Sequence, residues 1–137
     1  QDYQEALLKG CREQGYVSTI LGRRRRIEGV RAVTSYKSRN QPEREAINME
    51  IQGSAADLIK VAMLNIHRRL RDEKLKTRML LQIHDELVFE VPPKEEKRVA
   101  KLVHEEMTQA LADRLQVPLH VDMCAGANWQ DMKEVKT

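Results

Sequence analysis

Thr77-Arg78-Met79-Leu80-Leu81-Gln82-Ile83, then His84-Asp85-Glu86, then Leu87-Val88-Phe89-Glu90-Val91: two apolar, β-prone runs flank three polar residues. So short an interval joins strands only as an antiparallel hairpin with a tight turn. Pro92-Pro93 closes the second strand, because proline cannot donate to a ladder. Upstream, from Pro42 to about Asp72, apolar residues recur at three and four: Ile47, Ile51, Ala55, Leu58, Ile59, Ala62, Met63, Ile66 and Leu70. That period predicts a long amphipathic helix, with a bend expected at Gly53-Ser54. Downstream, residues 94–115 predict a second amphipathic helix, with Val99, Leu102, Val103, Met107, Ala110 and Leu111 on one face, and 118–123 a short strand. At the start, 3–13 reads as a helix closed near Gly15, 16–20 as a strand ending at Gly22, and 27–41 as a loop. The expected fold class is α+β, with long helices packed on an antiparallel, hairpin-containing sheet.

The 137 residues suffice for one domain, and 41% hydrophobic content allows it a core. Five aromatic residues (Tyr3, Tyr16, Tyr36, Phe89 and Trp129) are too few for a base-stacking platform. No apolar run is long enough for a bilayer, and the first residues lack the pattern of a secretory leader. Cys11 and Cys124 have neither metal nor redox spacing, so a reduced intracellular setting is expected. The abrupt opening of the first helix suggests a piece of a longer chain.

Charge is placed unevenly. Between Arg23 and Arg44, eight basic residues (Arg23, Arg24, Arg25, Arg26, Arg31, Lys37, Arg39 and Arg44) face Glu28 and Glu43, a local +6 on a chain of net +3. Such a segment is either a solvated basic loop or a phosphate-binding edge. Next to it, Arg44, Asn48 and Gln52 stand four apart on the long helix. At about 100° per residue they drift by roughly 40° per step and share one stripe. All three carry N–H donors. The stripe is either an ordinary solvent face or a reader of the minor groove, where every base pair offers acceptors.

The turn His84-Asp85-Glu86 has two readings as well. Aspartate is common in plain polar turns. Two adjacent carboxylates between apolar strands also suit a hard divalent cation, Mg²⁺ or Mn²⁺. A two-metal site needs carboxylates from more than one place. Asp57 falls on a helix and Asp122 has no partner motif, so this chain would hold half of such a site.

Residues Glu43-Arg44-Glu45-Ala46-Ile47-Asn48-Met49-Glu50-Ile51-Gln52-Gly53-Ser54-Ala55-Ala56-Asp57 closely resemble a segment of the family A DNA polymerases, the bacterial DNA polymerase I type. Gln82 through Val91 is similar to that family's third polymerase motif. Gly15-Tyr16-Val17 through Leu21-Gly22-Arg23-Arg24-Arg25 resembles its upstream segment, and Gly126-Ala127-Asn128-Trp129 its extreme C-terminus. Arg26-Ile27-Glu28-Gly29 departs from the aromatic-Leu-Pro usual there, and Glu50 stands where proline is common. The family's first motif, with the other metal-binding aspartate, is absent, as are its nucleotide-gripping Arg/Lys/Tyr helix and its thumb.

The resemblance implies residues 1–137 of a polymerase domain's C-terminal part, mostly palm with some of the fingers side. It implies DNA-directed DNA synthesis in replication or repair, with primer–template DNA, deoxynucleoside triphosphates and the rest of the polymerase domain as partners, and no membrane. Asp85 is implied as a catalytic metal ligand, Glu86 as a supporting ligand, and His84 as a neighbour of the primer terminus, with Mg²⁺ or Mn²⁺ as cofactor. Arg44, Asn48 and Gln52 are implied to contact the minor groove, and Arg23, Arg24, Arg25 and Arg26 the DNA backbone. The implied location is cytoplasmic, at the nucleoid in a bacterium, and the isolated chain is expected to be inert. Two rivals remain: a non-catalytic nucleic-acid-binding module, and a hydrolase using His84 and Glu86 as acid or base.

Overall fold

The structure is a computed structural model and describes residues 2–31 and 39–135. Its elements run α1 (Asp2–Gln14), β1 (Tyr16–Ser18), β2 (Arg24–Arg26), α2 (Gln41–Asp72), β3 (Arg78–Ile83), β4 (Glu86–Glu90), α3 (Glu96–Thr108), a 3₁₀ turn (Ala112–Arg114), β5 (Cys124–Ala125) and β6 (Lys133–Glu134). The strands form three separate two-stranded antiparallel sheets, β1–β2, β3–β4 and β5–β6. The class is α+β, as the sequence leads one to expect. The chain divides into two compact units, Gln1–Asp57 and Leu58–Thr137. No helix among the described residues is long and apolar enough to cross a membrane.

In the first unit, α1 turns Leu7, Leu8 and Cys11 inward, where they meet Val17, Ile27, Ala46 and Ile47. Gly15 ends the helix at a φ of 76°, which a side chain would strain, and its carbonyl then accepts the Ile27 N–H at 3.0 Å. A reciprocal cap starts α2. Asn40 Oδ1 accepts the Glu43 N–H and Glu43 Oε2 accepts the Asn40 N–H, both at 3.0 Å. Pro42 sits in the first turn, where its missing N–H leaves no gap. Of the expected loop, residues 32–38, Lys37 among them, lie outside the described residues.

The helix α2 is continuous through Gly53-Ser54. Two expectations change here. The arginine run is not a loop: Arg24–Arg26 forms β2, in register Tyr16↔Arg26, Val17↔Arg25 and Ser18↔Arg24. Ile51 and Ala55 are exposed rather than buried. The reason is angular: the β1–β2 hairpin docks over Gly53, and Ile51 and Ala55 lie about 160° and 200° around the helix from it.

In the second unit, Ala62, Ile66 and Leu70 of α2 pack with Val99, Leu102 and Val103 of α3 and with Ala110. Met79, Leu87, Phe89 and Val91 of the β3–β4 hairpin join them half-buried. Ile66 and Leu102 are essentially closed to solvent; burying each contributes ~1.5–3 kcal/mol. The helix α3 ends at Thr108, short of the expected 115, and Leu111 at a φ of 53° breaks any continuation. The strand expected over 118–123 does not form. Pro118 has no N–H to pair, and the ladder runs instead from Met123, whose carbonyl accepts the Val135 N–H at 2.8 Å, into Cys124–Ala125. Gly126 allows the turn between β5 and β6, since a Cβ there would stand 2.5 Å from the Asp131 carbonyl oxygen. Asn128 braces that turn by accepting the Gln130 and Asp131 N–H groups.

Candidate functional site

The β3–β4 register pairs Gln82 with Leu87 and Ile83 with Glu86, leaving His84 and Asp85 as a two-residue turn. His84 takes a φ of 53°. Positive φ at the first central position is what two-residue hairpins require, and glycine or asparagine usually supplies it. A larger side chain is held there at a cost of ~1–2 kcal/mol. Gln82 Nε2 donates to the His84 carbonyl at 2.9 Å and braces the tip. The side chains of His84, Asp85 and Glu86 are all exposed. The two carboxylates are therefore solvated, and burial alone does not demand a cation. Their hard oxygens fit part of a divalent-cation set. Among the described residues no group of three or more His, Cys, Asp or Glu side chains gathers to complete one.

The first unit carries the other candidates. Arg44, Asn48 and Gln52 are all exposed on α2, with Ile51 and Ala55 on the same side. The arginines of β2 are exposed too. The Arg24 guanidinium lies 4.8 Å from the Tyr16 ring centroid, a cation–π contact that keeps the charge at the surface. Arg25 pairs with Glu45, and Arg26 with Glu28 at 3.0 Å. Both pairs are open to water and worth at most ~1 kcal/mol each, so a phosphate can displace them. The +6 segment is less uniform than its sequence. Arg39 is buried and donates to Gln4, and Arg31 Nε sits 3.4 Å from the fully buried Glu43.

Sequence reasoning missed a buried set beside these arginines. Asp57 is 6% exposed and accepts a hydrogen bond from the Thr19 hydroxyl. Thr19 Oγ1 in turn accepts the Arg23 N–H at 3.1 Å. Ser54 Oγ accepts the Ile20 N–H at 3.0 Å. Gly53 makes room: a Cβ there would meet Thr19 Cγ2 at 2.6 Å. The one signal in the sequence is a carboxylate set in the apolar run Ala55-Ala56-Asp57-Leu58-Ile59.

The family model for DNA polymerase family A matches residues 1–131. The chain belongs to DNA polymerase family A. Among its family A relatives, DNA polymerase I of Chloroflexus aurantiacus is 48% identical over 130 residues, covering 95% of this chain and 14% of that protein. DNA polymerase I of Bacillus caldotenax is 44% identical over 131 residues, covering 96% and 15%. A solved structure of the POL domain of Pol1 from M. smegmatis, in complex with DNA primer-template and dNTP, superposes with a TM-score of 0.76 at 44% identity. It covers 87% of this chain, which spans 20% of that one. This family A chain thus represents about a seventh of the length of the curated relatives it matches.

Proposed function

We propose that this chain is the C-terminal part of a polymerase domain, most of its palm with a small part of the fingers side, within a DNA-directed DNA polymerase. The observation that carries the reading is the exposed two-residue tip His84-Asp85, followed by Glu86, in a chain of family A. In the proposed reaction the primer 3′-hydroxyl attacks the α-phosphate of a deoxynucleoside triphosphate and pyrophosphate leaves. Mg²⁺ or Mn²⁺ would be held by Asp85, with Glu86 in support, and when bound would stabilise the attacking and leaving oxygens of the in-line displacement. The remaining ligands would come from outside this chain.

The chain's own side chains have separable tasks. Asp85 and Glu86 present their carboxylates at a tip whose backbone Gln82 braces. His84, at the same tip, lies toward the primer terminus. Arg44, Asn48 and Gln52 donate to minor-groove acceptors, which sit in equivalent places in every matched pair and so test pair shape rather than sequence. Arg23, Arg24, Arg25 and Arg26 neutralise backbone phosphates. Without the other ligands and the nucleotide-binding helix, the isolated chain is inactive.

The test is single-nucleotide incorporation by the whole polymerase with Asp85→Asn, beside a primer–template titration. Incorporation is expected to fall by at least ~10³-fold, a loss of ~4 kcal/mol of barrier lowering, with DNA affinity within about 3-fold. Retained incorporation would make the tip structural and leave a DNA-holding module. Equal loss of both activities would remove Asp85 from the metal set.

A further inference from the structure

Around α2, two rows of side chains run side by side. One is the exposed donor stripe Arg44, Asn48 and Gln52. The other is Glu45, Met49, Gly53 and Asp57, whose first three members are the next residues in the chain, about 100° further round the helix. Every member of the second row engages the neighbouring structure. Glu45 pairs with Arg25, Met49 packs against the first-unit core, Gly53 admits Thr19, and Asp57 holds the Thr19 hydroxyl.

The chemistry at Thr19 runs in one direction. The Thr19 hydroxyl donates to Asp57 Oδ2. Its oxygen is then oriented to accept the N–H of Arg23, the residue just before β2. The Thr19 N–H also donates to the Arg23 carbonyl at 2.9 Å, and Ser54 fixes Ile20 from the same helix face. Both Thr19 and Asp57 are buried, so water does not compete for the bond.

We infer that Asp57 and Thr19 are positioning residues for DNA binding: they moor the arginine hairpin to the donor-bearing helix, so that backbone and minor-groove contacts are presented as one surface. Neither residue touches DNA. The inference rests on the proposed roles of the β2 arginines and the stripe, and its test separates the two.

The test is a primer–template titration over a range of KCl, using the whole polymerase. Thr19→Val removes the hydroxyl at constant shape, and Thr19→Ser keeps it. Thr19→Val is expected to weaken binding ~10-fold and to lower the slope of log affinity against log salt by about one, as an arginine loses its phosphate. Thr19→Ser is expected to stay within about 2-fold of the parent. Asp57→Ala should match Thr19→Val, and the double variant should be no worse than either, because both cut one chain of bonds. A variant that only loses folded protein binds with the parent's slope, and that result overturns the inference. So does a Thr19→Ser variant as defective as Thr19→Val. Arg24→Ala with Arg25→Ala is the control. If it lowers the slope while Thr19→Val does not, the mooring is wrong and the arginine assignment stands. If it leaves the slope unchanged, the arginine assignment fails and the mooring role falls with it.

Discussion

Gln52 closes the donor stripe with an exposed amide that can donate two hydrogen bonds. Gln52→Ala in the whole polymerase is expected to slow extension of matched primers by about 10-fold, the size of one lost bond of ~1.4 kcal/mol. Extension past mismatches should change less, so discrimination is blunted. Unchanged rates on both primers would take Gln52 off the list of DNA contacts. This residue was legible because spacing alone assigns helical neighbours. Asp57 was not. A carboxylate on a helix reads as solvent-facing, and here it is buried against Thr19, 38 residues earlier, from whose hydroxyl it accepts a hydrogen bond. Ile51 misled in the opposite sense: its spacing fits an apolar row, yet the partner surface lies across Gly53, and Ile51 is half exposed.

At the level of elements, the β3–β4 hairpin could be read from its turn and its flanking apolar runs; its register could not, because Glu86 joins β4 opposite Ile83 and the ladder shifts between Met79 and Leu81. Nor could the strand β2. Three consecutive arginines have little strand preference of their own, and the pairing with Tyr16–Ser18 and the stacking of Arg24 on Tyr16 supply what composition lacks. The entry to β3 depends on one carboxylate. Glu95 accepts the N–H groups of Lys76 and Thr77 and the Thr77 hydroxyl, at 2.8–3.0 Å. These bonds, the Lys76 N–H foremost, hold its carboxyl below the usual range. A lowered folded-state pKa contributes stability above the unfolded value, near ~4.3, that is lost as pH falls through the folded one. Glu95→Gln is therefore expected to melt below the parent at neutral pH, with the gap closing as the pH is taken to about 2. Melting curves of the two proteins across that range check it; a gap independent of pH would mean that the charge on Glu95 does not matter.

On the scale of the whole molecule, the chain spans 14% of its Chloroflexus relative. It leaves Leu80, Leu81 and Ile83 of β3 open to solvent, with Leu64, Val117 and Trp129. Apolar surface of this kind favours association, so the purified chain is expected to form oligomers at raised concentration. Primer extension by it should not exceed a protein-free control, whatever divalent cation is supplied; extension by pure chain would refute the assignment of half a ligand set.

The same topology also orders events in time. Each ladder joins neighbours in the sequence: Tyr16 to Arg26, Arg78 to Glu90 and Cys124 to Glu134. Closing such short loops costs little entropy, and hairpins of this length form within ~1–10 µs. Among the described residues, no strand has to wait for a distant partner. The bond from Thr19 to Asp57 must instead span most of the first unit and needs α2 already wound. The arginine hairpin thus closes locally, whereas the bond that fastens it to α2 joins residues 38 apart in the sequence and carries the larger loop-closure cost.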